Sequence, residues 1–264
     1  MMVRKAERAI AERLKPVAGE DAQLEASFLL RANGFHSPYQ ELSETDAKAL
    51  DPLIERRLTG EPLPYILGEW EFYGLPFYVD ARVLIPRPDT ERVVELALKT
   101  LTPERNAVLD LCCGSGCIGI ALAVCGGAKV TASDVSADAL EMTERNARRN
   151  GVSIETVRSD FLDGIDGMYD LIVCNPPYLS EADMQNRDAA LRFEPELALC
   201  GGQDGLYFYH RLAEEYRRVL KPGGTLLTEI GMTQMDGVLA LFPGAECVKD
   251  YGDRPRVVVV HNDD

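Results

Sequence analysis

The chain has little positive charge: 28 Lys and Arg stand against 43 Asp and Glu, a formal net charge of −15 over 264 residues. A broad electrostatic grip on nucleic acid needs a basic face, so no direct nucleic-acid partner is expected beyond a local patch. No apolar run approaches membrane-spanning length, and Met1 to Leu14 reads as a charged amphipathic helix without a signal-peptide pattern. A cytoplasmic protein without a membrane partner is the expectation. The cysteines (Cys112, Cys113, Cys117, Cys125, Cys174, Cys200, Cys247) form no C-x-x-C pair and leave an odd one over. That favours reduced, buried thiols over disulfides or zinc. His36, His210 and His261 are scattered, with no metal-ligand or nucleophile spacing. Internal repeats and low-complexity tracts are absent too.

What is present is a run that stops abruptly: Asp170-Leu171-Ile172-Val173-Cys174-Asn175-Pro176-Pro177-Tyr178. Its length and β-branched content fit a buried parallel strand, and two prolines forbid its continuation because neither donates a ladder hydrogen bond. Asn175 and Tyr178 therefore sit at the carboxyl end of a strand, where open α/β sheets bind ligands. The Asn175 amide oxygen and the Pro176 carbonyl are two acceptors for the hydrogens of a planar –NH2 group, with Tyr178 over its face. A strand closed by a plain proline turn is the simpler alternative.

Residues 1 to 60 read as three short helices, Arg4 to Leu14, Ala22 to Ala32 and Thr45 to Leu58, with Gly34 and Gly60 as stops. This small bundle suits substrate docking. Residues 61 to 91 read as a hairpin linker, with Tyr65-Ile66-Leu67 and Phe72 on one side of Tyr73-Gly74-Leu75-Pro76 and Phe77-Tyr78-Val79 on the other. In the Leu84 to Glu91 segment Pro86 and Pro88 stiffen the chain, and Thr90 is placed to cap a helix over Glu91 to Leu101. That segment is either a rigid linker or a lining of the site through Arg87, Pro88 and Thr90.

From residue 106 onward strands and helices alternate, within a domain expected to span 92–264. Strands are predicted over Ala107–Leu111, Lys129–Ser133, Ile154–Arg158, Leu171–Cys174 and Thr225–Glu229, the last fed by a turn at Lys221-Pro222-Gly223-Gly224. A helix over Ala137–Asn150 closes at Gly151. Alternation at this spacing means a doubly wound parallel sheet. The last two β-runs, Ala245–Asp250 and Arg256–His261, are joined by too few residues for a parallel crossover. The fold class is thus α/β, a seven-stranded mostly parallel sheet with an antiparallel last strand, plus an N-terminal helical bundle.

The first strand runs into Asp110-Leu111-Cys112-Cys113-Gly114-Ser115-Gly116-Cys117-Ile118-Gly119, and Asp134 ends the next strand. The glycines match G-x-G-x-x-G formally, so a dinucleotide site competes. Against it, Asp110 before the loop repels a pyrophosphate but suits an ammonium group. Asp160-Phe161 after the third strand offers a carboxylate and a ring for an adenine edge and face. Asp134 suits the two ribose hydroxyls. A nucleoside with an amino-acid tail fits these groups: S-adenosylmethionine.

These motifs resemble class I S-adenosylmethionine-dependent methyltransferases that act on amino groups. Gly60 to Gly68, Phe72-Tyr73-Gly74, Leu84 to Glu91, Phe193-Glu194-Pro195-Glu196-Leu197-Ala198-Leu199 and Gly201-Gly202-Gln203-Asp204-Gly205-Leu206 narrow the likeness. Together they resemble the peptide chain release factor glutamine methyltransferases over almost the whole chain. The resemblance implies methyl transfer to the side-chain nitrogen of the glutamine in a release factor's Gly-Gly-Gln loop. It implies substrate contacts at Asn175, Pro176, Pro177 and Tyr178. Cofactor contacts are implied at Asp110, Cys112, Cys113, Gly114, Ser115, Gly116, Asp134, Asp160, Phe161 and Asn175. No metal and a monomeric enzyme are expected. Cys112-Cys113 depart from the Gly-Thr common there, and the chain's own Gly201-Gly202-Gln203 is a coincidence with the target tripeptide. Two alternatives remain: an adenine amino methyltransferase of nucleic acid, and a non-enzymatic docking protein with a vestigial cofactor site.

Overall fold

Apolar residues in the first 69 positions recur at helical spacing and close one hydrophobic cluster of their own. In the computed structural model, which describes residues 1–263, helices α1 (Val3–Ala18), α2 (Ala22–Ala32), α3 (Glu44–Leu58) and α4 (Leu63–Leu67) surround Leu14, Ala26, Leu29, Leu30, Leu50 and Ile54, all at most 2% exposed. Ser43 opens α3 with a reciprocal capping box to Asp46. Arg57 and Glu25 form a two-pronged ion pair inside this unit, Nε to Oε2 at 2.7 Å and Nη2 to Oε1 at 3.0 Å. The unit comprises Met1–Glu69 together with Asp188–Phe193; the second comprises Trp70–Arg187 and the residues from Glu194 onward.

The extended reading of Tyr65-Ile66-Leu67 is corrected by α4. Pro62 and Pro64 preset helical φ at its start, and Gly68 closes it at φ +75°. The hairpin begins only afterwards, with β1 (Glu69–Phe72) and β2 (Leu75–Tyr78) joined through Tyr73 and Gly74, both at positive φ. Leu75 and Pro76 thus belong to the second strand, not to the turn.

The second unit carries α5 (Glu91–Thr100), β3 (Ala107–Leu111), α6 (Cys117–Gly126), β4 (Lys129–Asp134), α7 (Ala137–Arg149), β5 (Glu155–Arg158) and β6 (Tyr169–Cys174). It continues through α8 (Glu181–Gln185), α9 (Tyr207–Glu215), β7 (Leu220–Glu229), α10 (Met235–Leu241), β8 (Glu246–Lys249) and β9 (Pro255–His261). The seven strands are ordered β5-β4-β3-β6-β7-β9-β8. All pair in parallel except β9, which runs antiparallel between β7 and β8.

Alternation along β6 explains why the run had to be apolar throughout. Leu171 and Val173 face a cluster with Val93, Ala97, Ile118 and Leu140 of α5, α6 and α7. Ile172 and Cys174 face the opposite cluster with Tyr209, Leu212 and Val238 of α9 and α10. A sheet buried on both faces has no solvated side to reserve for polar residues.

The chain leaves β3 toward β4 and β5, then returns on the other side of β3 as β6. The carboxyl ends of β3 and β6 are therefore the switch point of the sheet, where a crevice opens. The expected turn at Lys221-Pro222-Gly223-Gly224 is instead an irregularity within β7: register shifts between Tyr169 and Leu171, with Gly223 at φ +68°. Among the described residues no helix is long and apolar enough to cross a membrane.

Candidate active site

At the end of β3 the chain must turn sharply into α6, and it does so through left-handed residues at Cys112 (φ +60°), Gly114 (φ +54°) and Gly116 (φ +77°). Cys112 holds a conformation that suits glycine and costs an L-residue roughly 1–2 kcal/mol. Gly119 lets α6 approach the sheet: a Cβ there would stand 2.8 Å from both Asp110 Oδ2 and Val130 Cγ1. The Gly119 N–H donates to Asp110 Oδ2 at 2.8 Å, while Oδ1 is buried without a hydrogen-bond partner among the described residues. Burial pushes the Asp110 carboxyl up to about 7, against the Gly119 hydrogen bond that favours charge.

Two buried polar side chains of α7 hold the loop from the far side. Thr143 donates to the Gly114 carbonyl at 2.9 Å, and Asn146 Nδ2 donates to the Ser115 carbonyl at 2.9 Å. Asn146 also bonds both backbone groups of Tyr78, tying the hairpin to the same helix. At the end of β4, Asp134 accepts the Gly114 N–H on Oδ2 and the Ser136 N–H on Oδ1, each at 2.9 Å. Burial raises its pKa, and these backbone donors act in the opposite direction.

After β5 the Ser159 N–H donates to the Asp134 carbonyl at 3.1 Å, and Phe161 turns inward at φ +55°. Its ring centroid lies 5.5 Å from that of Phe208, which meets Tyr207 edge-on at 5.1 Å. Arg211 stands 5.2 Å over the Phe161 ring and pairs with Asp160 at 2.7 Å. Asn175 follows β6, and its Nδ2 donates to Thr90 Oγ1 at 3.4 Å. The segment bearing Thr90 is anchored by the buried carboxylate of Glu194, which accepts the Ile85 N–H at 3.1 Å and pairs with Arg87.

A cavity of about 360 Å³ joins these pieces, a size suited to a small-molecule ligand. Cys112, Cys113, Gly114, Ser115, Asp134, Asp160, Phe161, Asn175, Pro177, Arg87 and Thr90 line it, as expected from the sequence. Asp110, Gly116, Pro88, Pro176 and Tyr178 do not line it. Asp110 lies behind the loop, shaping it through Gly119. Thr90 does not cap α5: it sits at φ −67°, ψ −21° in a turn continuous with the helix, and its hydroxyl makes no capping bond. Its hydroxyl faces Asn175 instead.

The wall also holds residues that the sequence motifs do not single out, notably Arg82, Ser133, Tyr207 and Phe208. The aromatic pair could have been suspected from the three consecutive large rings opening α9, Tyr207, Phe208 and Tyr209, the first of them exposed. Gln234 also escapes a reading by motif. Its Nε2 donates to the carbonyls of Tyr178 (2.9 Å) and Gly205 (3.1 Å), fixing the backbone that follows the two prolines.

The chain is similar to known proteins. Residues 90–193 match the family model "Methyltransferase small domain", and residues 4–68 match "PrmC N-terminal domain". The release factor glutamine methyltransferase of Geobacter sulfurreducens is 40% identical over 233 residues, 84% of this chain and 82% of that protein. The same-named protein of Haemophilus influenzae is 36% identical and aligns over 96% of each chain. Among solved structures, a methyltransferase from Pyrococcus furiosus superposes with a TM-score of 0.56 at 19% identity, covering 72% of this chain and 90% of that one, which speaks for the fold alone. Identity of this order, sustained over both units, leads to one conclusion: the chain belongs to the family of release factor glutamine methyltransferases.

Proposed function

We propose that this enzyme transfers a methyl group from S-adenosylmethionine to the side-chain nitrogen (N5) of the glutamine in a peptide chain release factor's Gly-Gly-Gln loop. The observation that carries the reading is the place of Asn175. It stands on the wall of the same cavity as the glycine loop, Asp134 and Phe161, at the sheet's switch point.

The wall offers groups for the cofactor's ribose and adenine. Each Asp134 oxygen takes one backbone N–H and keeps a lone pair for a ribose hydroxyl. The rings of Phe161 and Phe208 offer an apolar face for adenine. When bound, S-adenosylmethionine supplies a methyl group activated on a sulfonium.

An amide nitrogen is a poor nucleophile, since its lone pair is delocalised into the carbonyl. Asn175 Oδ1 and the Pro176 carbonyl accept from its two N–H groups and aim the nitrogen at the reacting carbon. Acceptors aimed at that nitrogen favour the transition state, in which positive charge develops as the new bond forms, over the ground state. The Tyr178 ring adds a π-face for that charge. Neither a nucleophilic side chain nor a metal is required. The helical unit serves release-factor docking in this reading, and the enzyme acts as a monomer in the cytoplasm.

Incubation with methyl-labelled cofactor and a purified release factor, followed by mass mapping, tests the assignment. Label on the Gly-Gly-Gln glutamine is expected. Label on another residue, or on an added adenine-containing nucleic acid in its place, would overturn it.

A further inference from the structure

Tyr207, Phe208, Arg211 and Glu215 stand at i, i+1, i+4 and i+8 of α9, which puts them on one face of that helix. Tyr207 and Phe208 belong to the cavity wall, whereas Arg211 stands behind it with a side chain only 17% exposed. From there it grips the loop that follows β5. Nη1 donates to Asp160 Oδ1 at 2.7 Å, and Nη2 donates to the Asp160 carbonyl at 3.3 Å. Nη2 also lies 3.2 Å from Asp163 Oδ1, and the guanidinium stands 5.2 Å over the Phe161 ring. Glu215 Oε1, 3.5 Å from Nε, holds the guanidinium from the helix side.

The side chains of Asp160 and Asp163 are 65% and 68% exposed, and ion pairs so open to water add little to stability. Their consequence is geometric. An aspartate on a surface loop turns freely and exchanges its two oxygens. Here one planar guanidinium holds both Oδ1 and the residue's own carbonyl, which leaves a single orientation. Oδ2 of this cavity-lining residue has no hydrogen bond among the described residues. Phe161 needs a hold of its own, because a phenylalanine at φ +55° persists only where its surroundings over-determine it. Ser159 Oγ donates to its carbonyl at 2.9 Å, and Arg218 donates to the Leu162 and Ile165 carbonyls at 2.6 and 2.9 Å. Arg211 covers the ring.

We propose that Arg211 is a positioning residue for base recognition. It fixes Asp160 so that Oδ2 accepts from the exocyclic amino group of adenine, and it holds the Phe161 ring against the base. The proposal rests on the reading of this cavity as the S-adenosylmethionine site. A carboxylate oxygen accepts from an amino group but repels a carbonyl oxygen in the same place, so the arrangement selects adenine over a 6-oxopurine.

Calorimetry on the full-length protein tests this, with S-adenosylhomocysteine and with its analogue carrying hypoxanthine in place of adenine. The wild-type protein is expected to favour adenine by roughly ten- to a hundredfold, the scale of one hydrogen bond to a charged group. Arg211→Met removes the grip and should lose most of that preference. Arg211→Lys keeps the charge but cannot hold Oδ1 and the carbonyl at once, so it should keep only part of it, and it serves where the methionine variant does not fold. Asp160→Ala should lose the preference too. Adding Arg211→Met to Asp160→Ala should lower it no further, because the arginine acts through the carboxylate. The KM for S-adenosylmethionine should rise in Arg211→Met with little change in kcat. A wild-type preference in either Arg211 variant, whatever its loss of stability or affinity, would overturn the proposal. So would a further loss in the double variant, or equal binding of the two compounds by the wild-type protein. Binding of neither compound by the wild-type protein would overturn the cofactor reading itself.

Discussion

Asp110 shows how far a single residue can be read from sequence and where that reading ends. Its place before the glycine loop is plain from spacing, but its burial behind the loop depends on Gly119 and Val130 arriving from α6 and β4. The same holds for Glu229, which in sequence is only the last residue of a strand. Asn175, Asp134 and Phe161 are readable because strand-end position and residue type suffice for them. Thr143, Asn146 and Gln234 are not, since each acts on a segment distant in the chain. A consequence at this scale concerns pH. Burial raises the folded-state pKa of Asp110 to about 7, above the ordinary carboxylate range of the unfolded chain. The folded protein therefore holds a proton that the unfolded chain releases, and this stabilisation is complete at low pH and is lost as pH rises through about 7. Asp110→Asn keeps an acceptor for the Gly119 N–H and removes the titration. Urea midpoints between pH 5 and 8 should fall less steeply in Asp110→Asn than in wild type, with Glu229 supplying part of the remaining slope. An unchanged slope would show that Asp110 does not titrate in this range.

At the scale of elements, the sheet is readable because its strands are apolar on both faces and its helices alternate with them. Sequence and structure part where two signals compete. Tyr65-Ile66-Leu67 has strand-like composition, yet Pro62, Pro64 and Gly68 around it decide for a helix. Lys221-Pro222-Gly223-Gly224 has turn composition, yet β7 runs through it. Gly201 and Gly205 shape the loop after the two prolines through close backbone approach, which no motif spells out. A Cβ on Gly201 would stand 2.7 Å from the Pro177 carbonyl oxygen and 2.8 Å from the Tyr178 Cα. These are backbone atoms that cannot move aside cheaply. Gly201→Ala is expected to destabilise the protein by about 1–3 kcal/mol, the range for overpacking, and to lower kcat as the 175–178 segment shifts. Gln203→Ala alters an exposed side chain of the same loop and should change neither. Equal thermal midpoints and rates for Gly201→Ala and wild type would contradict the packing role.

For the molecule as a whole, a net charge of −15 is unsuited to a broad electrostatic grip on nucleic acid, and in the proposed function a release factor is recognised by shape and local contacts instead. In the function proposed for it, catalysis turns on one amide aimed by another, at the point where the sheet reverses its winding. The most direct test is the single-turnover rate of methyl transfer to a release factor by Asn175→Ala, with cofactor saturation verified in both proteins. Loss of a transition-state hydrogen bond of this kind costs about 2.7–4 kcal/mol, so the rate should fall roughly a hundred- to a thousandfold. A rate near that of the wild-type enzyme would mean that Asn175 merely ends a strand and does not aim the substrate nitrogen.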